Sequence, residues 1–287
     1  MVMNLHSLEI FIEVAERGSF TEAARNLYVT QPAISKAIKN IEVELSVKLF
    51  QRDKRNGLIL TDVGAKILVL ARQMLDIDNK IYQAAFKENN FLGGRVRIGS
   101  IFITTTVILS KAIAMFQEKY PFVKIELYEG TAREVNKMVM DHAVDFAISI
   151  SPFNKMEYEV LVEDEMVAIS NREIDGLVNI ISDDRKFVFG QAGAETAIDT
   201  LGKEYEIPFE KWFQVARGET VLSMAQSGVG IGIISQFVLD SIPNQLYRAA
   251  VYPQVKMEYG IITNSFAELT PVAKEFVRII KKSNQSS

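Results

Sequence analysis

The sequence predicts an α+β multidomain chain: a small helical module closed by a β-hairpin, one long helix, and a larger region of alternating strands and helices. Three observations carry this. Two short amphipathic stretches adjoin in SFTEAARNLYVTQPAISKAIKNIE, residues 19–42. Apolar residues then recur every three or four positions from Val63 to Ala84. From Arg95 onward, β-branched and aromatic runs alternate with helical ones. With 287 residues, the chain is long enough for two or three domains.

Composition narrows the function classes. The chain is 48% hydrophobic and 24% charged, which favours a packed globule over disorder. It has no cysteine, so disulfides, thiolate catalysis and cysteine-ligated zinc are excluded. No apolar run reaches the roughly 18 residues of a membrane span. The opening stretch carries Glu9 and Glu13 and no cationic lead, so no secretory signal is expected and a cytoplasmic location is. His6 and His142 are the only histidines, and the domain boundaries predict that they lie apart. No metal site and no Ser-His-Asp triad is therefore expected, and no catalytic residue. Net charge is −4, yet Lys36–Arg55 holds six basic residues against three acidic ones. Phosphate contacts are local, so that excess matters more than the total.

The elements follow in order. Residues 5–17 place Leu5, Leu8, Phe11, Ile12 and Ala15 on one helical face, and Gly18 stops that helix. Ser19 is a good N-cap, and Glu22 completes a capping-box pattern. The helix it opens carries Ala23, Ala24 and Leu27, whose two alanines allow close helix crossing. Thr30 caps the next helix, with Pro32 in its first turn, where a missing N–H costs nothing. Ala33, Ile34, Ile38, Ile41 and Leu45 form its buried stripe, and the helix is expected to be short. This spacing is that of a helix-turn-helix. Asn56-Gly57 signals a two-residue hairpin turn, and a basic hairpin here reads as a wing.

Thr61 then caps a helix reaching about Asn90. Val63, Ile67, Leu70, Met74, Ile77, Ile81 and Ala84 follow steps of four and three, the 3.5 period of a coiled-coil seam. A second stripe, Leu68, Ala71, Leu75, Tyr82 and Ala85, lies beside it. One stripe fits a partner copy and the other the winged module. After Phe91-Leu-Gly-Gly94, strands are expected at Val96–Ile98, Val123–Tyr128, Val144–Ile150, Val160–Ser170, Phe187–Phe189, Trp212–Val215 and Ile231–Ile234. Helices are expected near 105–118, 132–140, 195–205, 219–227 and 271–281. The alternation implies parallel strands.

Taken together, Phe11, Ala15, Gly18-Ser19-Phe20, Ala23-Ala24, Leu27, TQPAISKAI at 30–38, Ile41-Glu42, Leu49-Phe50, Arg52, Leu60-Thr61 and Gly64 resemble the LysR-type transcriptional regulators. Two positions depart from the pattern: Ser46 stands where the family usually has glycine, and Lys36 where arginine is common. The resemblance implies a winged helix-turn-helix domain (1–60), a linker and dimerisation helix (61–90) and an effector-binding domain (91–287). That last domain is expected to resemble periplasmic solute-binding proteins, with lobe I at about 95–160 and 265–287 and lobe II at about 161–264. The resemblance further implies homodimers assembling to homotetramers on double-stranded promoter DNA, with RNA polymerase among the partners it admits. It implies no cofactor, but a small polar or anionic metabolite as effector. A ligand-independent architectural DNA-binding protein is the alternative.

Candidate site residues follow. Gln31 can bond adenine through both polar atoms, Ser35 can donate or accept, and Lys36 can donate to guanine as a point charge. Asn40 reaches a base or a phosphate. Thr30, Lys39, Arg52, Lys54 and Arg55 suit phosphates or the minor groove, and Pro32 belongs to the same first turn. By composition alone, this face also reads as a solvated helix surface. In RIGSIFITTTVIL, residues 97–109, a strand ends at Gly99-Ser100 and a helix begins among Thr104, Thr105 and Thr106, an arrangement suited to an anion. The resemblance places the effector cleft there, with Ser100, Ile101, Thr104 and Thr105 joined by Gly130, Thr131 and Ser149. Gly228 and Val229, within QSGVGIGIIS, are expected at its second-lobe rim. Arg133 and Arg217 are candidates for a ligand carboxylate, or else surface arginines.

Overall fold

The computed structural model describes residues 3–53, 57–88, 93–190, 204–205 and 212–285. The chain divides into two compact units, Met1–Gly94 with Asp141–Ala143, and Arg95–Met140 with Val144–Ser287.

The first unit begins with α1 (Leu5–Arg17), α2 (Phe20–Asn26) and α3 (Gln31–Leu45). Helix α1 opens with a reciprocal cap between Asn4 and Ser7 and closes on Gly18 at φ +60°. Its core face is Leu8, Ile10, Phe11 and Val14. Leu5 is exposed and Ile12 and Ala15 are half-buried, so the buried stripe is rotated from the expected one. Ser19 Oγ accepts from the Glu22 N–H at 3.3 Å, forming one arm of the expected box. Ala23 and Ala24 are buried at the α2–α3 crossing. Helix α3 is not short: it runs 15 residues, because Ile34, Ile38 and Ile41 anchor it along its length. Ala33 stays exposed and Leu45 half-buried.

Strands β1 (Phe50–Asp53) and β2 (Gly57–Leu60) pair antiparallel, with Asp53 opposite Gly57. That register leaves three connecting residues, 54–56, where a two-residue turn was expected; they lie outside the described residues. Thr61 Oγ1 donates to Lys48 O at 2.6 Å and accepts from the Gly64 N–H at 3.0 Å, opening α4 (Asp62–Glu88). Leu68, Ala71 and Leu75 of α4 are buried, and the first two join Leu8, Phe11, Ile34 and Ile41 in the module's core. Arg72 adds an ion pair to Glu16 at 3.1 Å. The second stripe is buried only over this first half, since Tyr82 and Ala85 are exposed. Phe11, fully buried against Phe50, is the kind of side chain whose truncation costs about 3–5 kcal/mol.

The second unit holds β3 (Gly94–Ile101), α5 (Phe102–Thr104), a π-helical turn at 105–109, α6 (Ser110–Lys119), β4 (Val123–Gly130), α7 (Ala132–Met140), β5 (Phe146–Ile150) and β6 (Glu157–Ser170). It continues through β7 (Val178–Asn179), β8 (Phe187–Gly190), β9 (Phe213–Val215), α8 (Gly218–Gln226), β10 (Ile231–Ser235), α9 (Gln236–Ser241), β11 (Tyr247–Tyr252), β12 (Lys256–Thr263) and α10 (Pro271–Gln285). The expected helix at 195–205 falls almost wholly outside the described residues. The strand order is β4-β3-β5-β12-β6-β10-β8-β9, with β11 on β6 and β7 on β11.

The strands are not all parallel. β3 and β5 pair parallel, as do β10, β8 and β9. β6 and β12 run antiparallel to each other and to their other neighbours. Residues Glu157–Glu165 of β6, apart from Leu161 at a bulge, pair with β12, while Met166–Ser170 pair with β10 and β11. The lobes thus meet near Glu165–Met166. β12, which falls within the stretch expected for lobe II, pairs with β5 and with the first part of β6. In the second lobe Trp212 is buried and its ring lies 4.8 Å from that of Phe187.

Ser46, the C-cap of α3, has φ +54°. An L-residue there is strained by about 1–2 kcal/mol, whereas glycine is not. Ser46→Gly is therefore expected to stabilise the winged module by about 0.5–1 kcal/mol after glycine's greater unfolded-state freedom is subtracted. Urea unfolding followed by far-UV circular dichroism should show a raised midpoint; an unchanged or lowered one would contradict this account.

Candidate functional site

The first unit presents one polar face. Thr30, Gln31, Pro32, Ser35, Lys36, Lys39 and Arg52 are exposed and Asn40 is half-buried. Gln31 and Arg52 open onto one hollow together with Gly18, Ser19, Phe20 and Thr21. The fold thus brings the start of α3, the start of α2 and the wing to one place. Thr30 stands at the N-cap, but its side chain makes no capping bond. Among the described residues, none of the Thr30, Gln31, Ser35, Lys36, Lys39, Asn40 and Arg52 side chains makes a hydrogen bond or an ion pair. Lys48, by contrast, is committed to Glu42 at 2.7 Å. Lys54 and Arg55 lie outside the described residues.

One exposed residue escaped the sequence reading. Tyr28, in the turn between α2 and α3, is 96% exposed and has φ +55°. The signal was an aromatic residue inside a helix-turn-helix turn, where no packing partner is available.

The second unit contains a small, partly open hollow of about 50 Å³. Ile101, Gly190 and Ile233–Ser235 line it from the carboxyl ends of β3, β8 and β10, and Arg217 from just beyond β9. Such ends, where parallel strands stop, are where α/β folds place ligands. Met166 of β6, Met257 and Tyr259 of β12, and the start of α8 at Gly218 and Glu219 add to the lining. The surface is mainly apolar.

The expected effector residues are distributed differently. Ile101 lines the hollow. Ser100 and Thr104 are fully buried and bonded to each other at 2.8 Å, and Thr104 Oγ1 also donates to Ile101 O at 2.9 Å. Thr105 and Thr106 donate to carbonyls one turn back. These hydroxyls serve the backbone of a three-residue helix and the π turn after it, and are not among the lining groups. Ser149 Oγ donates to Asn136 at 2.7 Å in the interior. The Thr131 N–H and hydroxyl both donate to Glu134, and Gly130 packs against the same side chain. Gly228 and Val229 precede β10, whereas the hollow adjoins that strand's other end. Gly228 takes φ +77°, and Gly230 faces Lys186 O so closely that a Cβ would lie 2.4 Å from it. Arg133 is exposed on α7, away from the hollow's lining.

Beneath the hollow lies a buried polar node. Ser235 Oγ donates to Asp164 Oδ2 at 2.5 Å, and the Phe237 N–H donates to Asp164 Oδ1 at 2.9 Å. The Tyr259 hydroxyl lies 3.0 Å from Ser235 Oγ. Burial pushes the Asp164 carboxyl above its ordinary range, outweighing those hydrogen bonds. Burial also pushes the Tyr259 phenol up.

Comparison with known proteins covers both units. Residues 5–65 match the model of the bacterial regulatory helix-turn-helix protein, lysR family, and residues 89–285 match the LysR substrate binding domain. The chain belongs to the LysR family of transcriptional regulators. It is 43% identical to YoaU, an uncharacterized HTH-type transcriptional regulator of Bacillus subtilis, over 98% of this chain and 99% of that one. It is 32% identical to YvbU of the same organism over 98% of each. Full-length OxyR from Pseudomonas aeruginosa, a cysteine variant, has a similar fold (TM-score 0.73, 20% identity, 99% of this chain and 95% of that one). CbnR in complex with its target DNA is also similar (TM-score 0.59, 18% identity, 98% and 100%). This LysR regulator thus joins a DNA-binding helix-turn-helix domain to an effector-binding domain of the family's kind. Among the described residues no helix is long and apolar enough to cross a membrane, and no acidic or histidine cluster could hold a metal.

Asp164 makes the regulator's stability depend on pH. Its folded pKa is raised, so its contribution is fully present below the ordinary aspartate value of 3.8 and is lost as pH rises through the folded value. Asp164→Asn removes that titration and retains an acceptor for Phe237. Thermal unfolding between pH 4 and pH 7, about 0.2 above the ordinary aspartate value at its lower end, should fall less with rising pH in the variant. Parallel curves for both proteins would contradict the assignment.

Proposed function

We propose that the protein binds promoter DNA as a cytoplasmic homodimer assembling to a homotetramer, and that a small molecule in the effector domain's hollow controls it. It regulates and does not catalyse, and RNA polymerase is its further partner in this reading. The observation that carries the reading is the uncommitted polar face of α3 and the wing. Among the described residues, seven side chains able to bond bases or phosphates stand exposed or half-exposed on α3, its N-cap and the wing without internal partners, and two of them, Gln31 and Arg52, share one hollow. A folded surface leaves such groups to water unless a ligand uses them, and B-DNA offers complementary groups at this spacing. Gln31, Ser35 and Lys36 read base edges, with Asn40 behind them. Thr30, Lys39 and Arg52 hold phosphates, and Lys54 and Arg55 extend the wing's positive charge.

The long helix supports dimerisation. Leu70, Met74, Ile77 and Ile81 are 45–63% exposed in one row along α4, beside the stripe buried in the winged module. A row of large apolar groups with a 3.5 period fits a second copy of the same helix.

Two outcomes test this. Gln31→Ala should lower operator binding by about 1–3 kcal/mol while leaving random-sequence binding unchanged. Arg52→Ala should weaken binding to both and flatten the salt dependence by about one counterion. Gel shifts across a salt series separate the two effects, and equal loss on both DNAs for Gln31→Ala would refute base readout. Ile81→Glu places a charge in the seam, so sedimentation velocity should show smaller species. Operator affinity should fall with it, since two half-sites are no longer bound together. A variant that sediments as the parent does would place the seam elsewhere.

A further inference from the structure

The hollow described above has an apolar body and, among the described residues, one cation in its lining. Arg217 stands immediately before α8, a nine-residue helix whose first residues, Gly218 and Glu219, also line the hollow. Its guanidinium carbon lies 4.4 Å from the centroid of the Phe102 ring. Among the described residues no carboxylate pairs with it and no acceptor takes its side-chain N–H groups. Phe102 follows β3 in the first lobe and Arg217 follows β9 in the second, so the contact spans the hollow from lobe to lobe. Other polar groups of the lining are already engaged, since Ser235 and Tyr259 belong to the node with Asp164. Glu219, in the first turn of α8, sits where the helix dipole favours an acid, which gives it a local role.

We propose that the hollow takes a small apolar molecule bearing a single carboxylate, and that Arg217 receives it by leaving the face of Phe102. The inference rests on the reading of this hollow as the effector site. An arginine fork matches a carboxylate through two parallel N–H donors, and that match exceeds a stack on a phenyl ring. The first N–H groups of α8 add positive potential beside Arg217. The apolar lining, with Ile101, Met166, Ile233 and Met257, matches a hydrocarbon or phenyl body in chemistry, with room for it made as Arg217 leaves Phe102, and disfavours a second charge. Ligand and Phe102 compete for one cation, so binding replaces a lobe-to-lobe contact with a contact to the ligand. That difference between the free and bound arrangements is what a ligand needs in order to shift a conformational equilibrium.

The test uses the full-length protein and four matched probe series: 3-phenylpropionate and hexanoate, their neutral amides, the corresponding amines, and the zwitterions phenylalanine and norleucine. Isothermal titration should show saturable binding of an acid at least tenfold tighter than its amide, amine or zwitterion. Arg217→Ala should remove that preference while circular dichroism and operator binding stay as in the parent, and Arg217→Lys should restore part of it. Phe102→Leu keeps an apolar lining and frees the guanidinium, so the acid-to-amide preference should rise about two- to fivefold, the strength of an exposed cation–π contact. Tighter binding of amides, amines or zwitterions would overturn the ligand class and leave the hollow as the effector site. Acid binding indifferent to Arg217→Ala would overturn the receptor. Binding by no member of any series would defeat both this proposal and the reading beneath it.

Discussion

β6 is a single strand that belongs to two sheets. Residues 157–165, apart from Leu161 at a bulge, pair with β12, and its last five pair with β10 and β11. The backbone of each lobe is therefore completed by a strand that the other lobe also needs. Any relative movement of the lobes must be taken up by twist near Glu165–Met166 and cannot come from separation. Asp164 sits one residue from that point and ties it to Ser235 and to the start of α9. A carboxylate with its oxygens fixed by donors from the second lobe makes the crossing directional as well as continuous. The hollow lies above this node because the parallel strands on both sides end there.

The winged module follows a different rule. Its apolar groups converge on one small core, and its polar groups on one face are left without internal partners. A net negative chain can present a positive local surface in this way, because the excess over Lys36–Arg55 is concentrated in twenty residues. Where a basic side chain in that stretch has another task, as Lys48 has with Glu42, it leaves the interface set. Helix α4 separates its duties by face: Leu68, Ala71 and Leu75 complete the module, while the row from Leu70 to Ile81 remains open.

Much of this was legible in the sequence, and the reasons are physical. Period and capping are local, so the helix-turn-helix, the wing and the long helix could be read from Ser19, Thr30, Thr61 and the 3.5 repeat. Burial phase is set by tertiary contacts, which is why the stripe of α1 was read with the wrong neighbours. The strands β11 and β12 were missed because YRAAVY and KMEYGIIT lack clean alternation and β12 carries Gly260, whose place is set by Phe153 and Glu159. The hydroxyls of Ser100 and Thr104 were read as ligand groups; that they bond each other across four residues is a pairing the sequence does not report. Gly228 was placed at a rim for a similar reason: a glycine needed for a tight turn or close packing looks the same in sequence as one making room for a ligand. Arg217, left open between ligand and surface, was placed by the topology at the end of β9.

The position of Trp212 has an optical consequence. It is the chain's one tryptophan, buried in the second lobe beside Phe187 and Phe189 and five residues before Arg217. Indole emission therefore comes from a single address. Loss of the second lobe's packing should move it to longer wavelength, while melting of the winged module, which has no indole, leaves it dark to this probe. The second unit can accordingly be followed by intrinsic fluorescence without attaching a label, while helical dichroism, to which both units contribute, reports the whole chain.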